Sequence, residues 1–177
     1  VTHSQTLRLG RTRAEEHIDR NVYVQFDRSS VRAEAGAPQP EDTGDGSAVS
    51  ANYVWNGRYF DREPYPTTGF AVGAEVGAGI TLEGSRSPFQ RTVLRWVELH
   101  SLGRGRVQWR AEGGAVFARQ EARVPSTQLF RTGGDTSVRG YGFRDIGVED
   151  PATGLVRPGR HLAVASVEWQ QPIRRGG

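Results

Sequence analysis

Residues 69–82 read Gly-Phe-Ala-Val-Gly-Ala-Glu-Val-Gly-Ala-Gly-Ile-Thr-Leu, and every even position among them is apolar: Phe70, Val72, Ala74, Val76, Ala78, Ile80 and Leu82. The odd positions, Gly69, Ala71, Gly73, Glu75, Gly77, Gly79 and Thr81, are small or polar. Alternation with period two over fourteen residues is the signature of a β-strand. The strand is long, since strands of soluble domains usually run to about 5–6 residues. A helix with Gly69, Gly73 and Gly77 on one small face is the competing reading. Glycines weaken a helix interior by about 1 kcal/mol each, so the strand is preferred.

The same pattern recurs on both sides. Arg106–Arg119 sets Val107, Trp109, Ala111, Ala115 and Phe117 against Arg106, Gln108, Arg110 and Glu112. Asn21–Ser30 sets Val22, Val24 and Phe26 against Tyr23, Gln25 and Asp27, and Ala48–Phe60 sets Val49, Ala51, Tyr53 and Trp55 against Ser50, Asn52 and Asn56. His161–Pro172 sets Ala163, Ala165, Val167 and Trp169 against Ser166, Glu168 and Gln170. Phe89–His100 and Thr6–Thr12 are weaker instances, with Leu94 and Trp96 opposite Arg91 and Arg95, and Leu7 and Leu9 opposite Arg8. Seven strands and no convincing helix result. Asn56-Gly57 is a hairpin signal inside one of them, but Asp61–Thr68 is the stronger break, so the long strand is retained.

The connections alternate in length. Short breaks fall near residues 13–17, 61–68 and 101–105; the others, near 31–47, 83–88 and 120–160, include two long ones. Short turns at one rim and long loops at the other are the habit of outer-membrane barrels. Trp55, Trp96, Trp109 and Trp169 each fall on the more apolar face of a strand, near its short-turn end. They would form an aromatic girdle at one membrane interface. Tryptophans in the core of a soluble β-sandwich are the alternative, and periodicity alone does not exclude it.

Composition narrows the chemistry. The chain has 177 residues, enough for one domain, with no cysteine, so disulfides and thiol chemistry are excluded. It also lacks methionine and starts abruptly at Val1, which suggests a piece of a longer protein. No apolar run reaches the roughly 20 residues of a transmembrane helix, and no signal peptide is visible. A net charge of +3 gives weak support for a nucleic-acid partner, and none is expected. His3, His17, His100 and His161 are too scattered for a metal site, and Glu41, Asp42 and Asp45 do not fit a calcium loop. With no nucleophile elbow, carboxylate pair or phosphate loop in view, neither catalysis nor a metal or cofactor is expected.

The informative segment lies in the longest connection. Residues 130–142 read Phe-Arg-Thr-Gly-Gly-Asp-Thr-Ser-Val-Arg-Gly-Tyr-Gly. Loops beyond about 15 residues are usually functional or disordered. A glycine-rich, folded-back tip would place Arg139 on a polar interior wall, where a guanidinium needs a carboxylate. Glu168, on the polar face of the next strand, is the candidate. Residue statistics alone favour an ordinary solvated arginine slightly.

The segment Gly133-Gly134-Asp135 followed by Val138-Arg139-Gly140-Tyr141 resembles the Val-Arg-Gly-Phe/Tyr motif of the BamA/TamA superfamily of outer-membrane assembly factors. Ser166-Val167-Glu168 is similar to that family's Ser-x-Glu strand, and Tyr65-Pro66-Thr67-Thr68-Gly69 resembles its Pro-Thr-x-Gly turn. The likeness runs from about Ala48 to Ile173, and around Gly140-Tyr141-Gly142-Phe143 it looks closest to the TamA branch.

The resemblance implies an all-β, antiparallel transmembrane β-barrel in the outer membrane of a Gram-negative bacterium. Residues 1–177 would be about seven strands of a 16-stranded barrel, without its POTRA domains and terminal strands. Residues 120–160 would be the functional loop folded into the lumen, with Arg139 contacting Glu168. The partners implied are membrane lipid, client β-barrel proteins and autotransporters, and an inner-membrane-anchored TamB-like protein. Two open sheet edges are not tolerated in a bilayer, so the segment is not expected to work alone. A two-partner secretion transporter, the barrel anchor of a patatin-like phospholipase, and a passive porin or adhesin are the alternatives.

Overall fold

The computed structural model describes residues 2–31, 45–62, 64–84, 86–134, 138, 142, 145–149, 151 and 156–171. Seven antiparallel strands form one sheet: β1 (Thr2–Ala14), β2 (Ile18–Val31), β3 (Gly46–Phe60), β4 (Gly69–Thr81), β5 (Pro88–Leu102), β6 (Gly105–Ala118) and β9 (His161–Gln170). Their spatial order is β1-β2-β3-β4-β5-β6-β9, so each strand pairs with its sequence neighbour in the sheet. Two short strands, β7 (Val148–Glu149) and β8 (Val156–Arg157), pair with each other inside the long connection. Among the described residues no helix is long and apolar enough to cross a membrane.

All seven expected strands are present, several longer than their clearest stretch of alternation. Strand β3 runs straight through Asn56-Gly57, which pair with Asp19 and Ile18 on one side and with Gly73 and Val72 on the other. A Cβ at position 57 would lie 2.8 Å from Cη2 of Trp55. Glycine here serves close ring packing rather than a turn. The β5–β6 hairpin is tight, and Gly103 occupies the left-handed region at φ 59° that such a turn requires.

The two faces of the sheet reverse the usual distribution. Gln25, Asp27, Ser29, Ser50, Asn52 and Thr81 are buried, whereas Leu9 is 82% exposed and Trp169 is 63% exposed. The exposed face carries the apolar members of each alternation, including Val22, Val24, Val76, Ile80, Leu94 and Phe117. Such a face suits lipid, not water, and a polar face directed inward is the rule for a membrane barrel. On that inner side Ala48, Phe89, Val93 and Val116 form a small core with Ala122, Val124 and Phe130 of the long connection.

Candidate functional site

The inner face carries an extended polar network. Glu75 on β4 accepts from Nη1 of Arg91 on β5 at 2.5 Å and from the Tyr23 hydroxyl on β2 at 3.4 Å. Its other oxygen is 3.8 Å from Nη1 of Arg95, whose Nε donates to Glu112 on β6 at 3.1 Å. Toward β1, Nε of Arg8 donates to Gln25 at 2.5 Å, and Gln25 donates to Asp27 at 2.6 Å. Thr6 donates to the second Asp27 oxygen at 2.8 Å. Charged and amide groups on alternate positions of five strands are thus satisfied by one another, as buried polar groups must be.

The long connection folds onto this wall. Just after β6, residues 122–132 cross the inner face as far as β2. There the Gln128 amide donates to Asp27 Oδ2 at 2.6 Å, and the backbone N–H of Ser126 donates to Ser29 Oγ at 3.2 Å. The Gln128 carbonyl accepts from Nε of Arg91 at 3.1 Å. Arg91 also lies over the Phe130 ring, 5.0 Å from its centroid. Phe130 packs on Gly114 of β6, where any Cβ would come within 2.5 Å of the ring. Its backbone pairs with Gly159, and Thr132 pairs with Ile146, so two isolated bridges tie the outgoing stretch to the returning one. Arg160 closes its base by donating to the carbonyls of Ala118 and Arg119, both at 3.2 Å.

The residues expected to form the site divide into three groups. Gly133 and Gly134 adopt φ 117° and 101°, conformations that favour glycine. Val138 is partly buried. Asp135, Arg139, Gly140 and Tyr141 lie outside the described residues. Glu168 faces the interior and accepts from Nη2 of Arg110 on β6 at 2.9 Å, while Nε of the same arginine donates to Ser166 at 3.2 Å. The Ser-x-Glu pair is therefore read by one guanidinium from the adjacent strand.

Trp55, Trp96, Trp109 and Trp169 all lie on the outer face. The hydrogen-bonded row through Trp55 contains Ala74, Leu94, Gly113 and Ala163. Trp96 stands two residues from that row, Trp109 four and Trp169 six, always toward the short turns. Six residues over the four steps from β3 to β9 is a slip of 1.5 per strand. With a rise of ~3.3 Å per residue and ~4.8 Å between strands, this corresponds to a strand tilt of about 46°. Membrane barrels tilt their strands by roughly 35–45°. A barrel wall tilted by that amount would bring the four tryptophans to about one level. Phe70 extends the aromatic band, with its ring centroid 5.2 Å from Tyr59 and 5.9 Å from Trp96.

At the short-turn rim, Asp61 organises residues 61–68. Its carboxylate accepts from the Thr67 hydroxyl at 2.6 Å and from the Thr67 and Thr68 amides at 2.9 and 3.1 Å. The Thr67 hydroxyl bond, aided by the Thr68 amide, holds the Asp61 carboxyl well below the usual carboxylate range. Nη1 of Arg106 donates to the Pro66 carbonyl at 2.5 Å, tying this turn to β6.

Asp27, Gln128, Glu75 and Arg91 were not singled out by the sequence. Each sits at a polar position of an alternating strand or in an unpatterned loop, and their convergence depends on the loop crossing four strands. Among the described residues no three His, Cys, Asp or Glu side chains are grouped to hold a metal.

Residues 2–176 match the Omp85 superfamily domain. Over 112 residues the chain is 33% identical to the outer membrane protein assembly factor BamA of Nitratidesulfovibrio vulgaris, covering 62% of this chain and 14% of that protein. With the inward polar face, the lipid-suited outer face and the loop folded onto the wall, these matches show that the chain belongs to the Omp85 superfamily and forms part of a β-barrel in the bacterial outer membrane.

Proposed function

We propose that this segment serves an outer-membrane assembly factor of the TamA type, which assists insertion or secretion of autotransporters and other β-barrel proteins. The observation that carries the reading is the clasp of Gln128 by Asp27 and Arg91, which holds the limb leading to Val138-Arg139-Gly140-Tyr141 against the inner wall. The similarity to a BamA assembly factor supports outer-membrane protein assembly in general. The TamA branch rests on the residues around Gly140-Tyr141-Gly142-Phe143 alone.

In this reading no bond is made or broken. The barrel, of 16 strands when whole, offers strand pairing and a locally thinned membrane to clients, and a TamB-like protein anchored in the inner membrane is its partner. Arg139 braces the loop tip against Glu168, sharing that carboxylate with Arg110. The test is insertion of a reporter autotransporter into liposomes by the full-length protein, with and without Arg139→Ala. Insertion that falls with the substitution supports the reading. An inert wild type overturns it, as does a two-partner passenger accepted in place of the autotransporter. A lipase domain found ahead of the barrel would instead make this segment an enzyme's anchor.

A further inference from the structure

Three arginines meet on the outer face of β1 and β2. Arg13 is the direct cross-strand partner of Arg20, and Arg11, the partner of Val22, is diagonal to Arg20. Like charges directly opposite each other destabilise a sheet. All three side chains are exposed. Arg13 has an acidic partner in Glu15 at 3.0 Å. Among the described residues Arg11 and Arg20 have no ion-pair partner. The nearby Asp19 pairs with Arg58 on the opposite, inner face. Two guanidiniums therefore stand uncompensated on a surface whose neighbours are Val22, Val24, Leu7 and Leu9.

Their level in the membrane follows from the tryptophan line. Arg20 lies in the hydrogen-bonded row of Trp55. Extending the slip of about 1.5 residues per strand places the aromatic level near Val22 on β2 and between Leu9 and Arg11 on β1. Arg11, Arg13 and Arg20 thus fall just beyond it, toward the short turns, at the depth of lipid phosphates. Tryptophans mark the interface, and short turns are the periplasmic ends of barrel strands. Arginine is also the side chain whose planar fork fits a phosphate bidentately.

We propose that Arg11, Arg13 and Arg20 form a binding site for the phosphate of an anionic phospholipid headgroup in the periplasmic leaflet. An anion between the opposed arginines removes the repulsion that their pairing creates. The site fixes the height of the barrel wall at β1–β2 by a charge contact, where the apolar stretch of β1 is only Leu7 and Leu9.

The test is native mass spectrometry of the full-length protein released from nanodiscs containing equal phosphatidylglycerol and phosphatidylcholine. Wild type should retain phosphatidylglycerol preferentially. The double variant Arg11→Gln/Arg20→Gln should lose that preference, by about fivefold for each arginine removed. Arg11→Lys/Arg20→Lys should keep most of it, and Arg28→Gln, on the outer face near the opposite rim, should leave it intact. Heat-modifiable migration of every variant reports a folded barrel; if the glutamine variant does not fold, the lysine variant and the single Arg20→Gln carry the comparison. Equal retention of both lipids by wild type would overturn the site. So would an unchanged preference in a folded glutamine variant, or an effect of the substitutions on added lipid A alone.

Discussion

The side-chain amide of Gln128 donates to Oδ2 of Asp27 at 2.6 Å across 101 residues of chain. The connection that carries Gln128 leaves the sheet at β6, four strands from β2, so this bond spans the inner wall rather than joining neighbours. Asp27 is fully buried, and its described partners are the neutral donors Thr6, Gln25 and Gln128. A buried carboxylate is costly to leave short of donors. Gln128→Ala should therefore lower barrel stability by about 1–3 kcal/mol. It should also open Arg123 and Arg131 to trypsin. Thermal unfolding in detergent with limited proteolysis measures both. In a double-mutant cycle with Asp27→Asn the two effects should be clearly non-additive; simple additivity would mean that the contact carries no coupling.

Arg91 performs three tasks with one guanidinium: it pairs with Glu75, donates to the Gln128 carbonyl and covers the Phe130 ring. Lysine would preserve the charge but not the fork or the flat stacking surface. Arg91→Lys is expected to retain a folded sheet and still release the loop, seen as faster tryptic cutting within residues 119–160. Arg91→Ala should be worse, by roughly 3–5 kcal/mol, because Glu75 loses its main cation in a largely buried site. Equal proteolysis of wild type and the lysine variant would show that charge alone holds the loop.

Much of the fold was legible because the signal is local. In residues 69–82 each side chain's face is fixed by its parity, and Glu75 among the small residues already marked the polar side. Asn56-Gly57 misleads only locally, since flanking strands pair with both residues and override the turn. The docking of residues 122–132 was not legible. Gln128 and Ser126 carry no periodicity, and their partners Asp27 and Ser29 look like ordinary polar positions of a strand. Their meeting is set by the lateral distance across the sheet, which sequence spacing does not encode. Parity puts Glu168 on the polar face of its strand, but its contact with Arg110 follows from the β6–β9 register, in which Arg110 pairs with Ser166.

The tilt inferred from the tryptophans makes a claim about depth. Trp55, Trp96, Trp109 and Trp169 occupy different hydrogen-bonded rows, and on that tilt they should share one membrane level. Four single-tryptophan variants of the full-length protein, reconstituted with brominated lipids, should show matching quenching profiles. Bromine near the headgroup should quench all four more than bromine near the chain ends, because tryptophan favours the interface. A spread that follows the hydrogen-bonded rows, with Trp169 and Trp55 at opposite depths, would refute a common level.

The short-turn rim yields a prediction with a definite sign. Asp61 accepts the Thr67 hydroxyl and two backbone amides, and these bonds favour its charged form. Its folded pKa is therefore depressed below the roughly 3.9 of a free aspartate. A depressed carboxylate contributes stability that is present above its unfolded pKa and fades as pH falls toward its folded value. The turn should stay ordered through neutral and mildly acidic conditions and loosen only in strong acid. Carboxyl-carbon NMR of the full-length protein should find the Asp61 midpoint well below that of exposed aspartates. Thr67→Ala removes the largest contribution and should raise the midpoint toward the free value. It should also speed amide exchange at Thr68, while the β3–β4 ladder above it keeps its protection. A midpoint unchanged by that substitution would mean that the backbone amides alone hold the carboxylate.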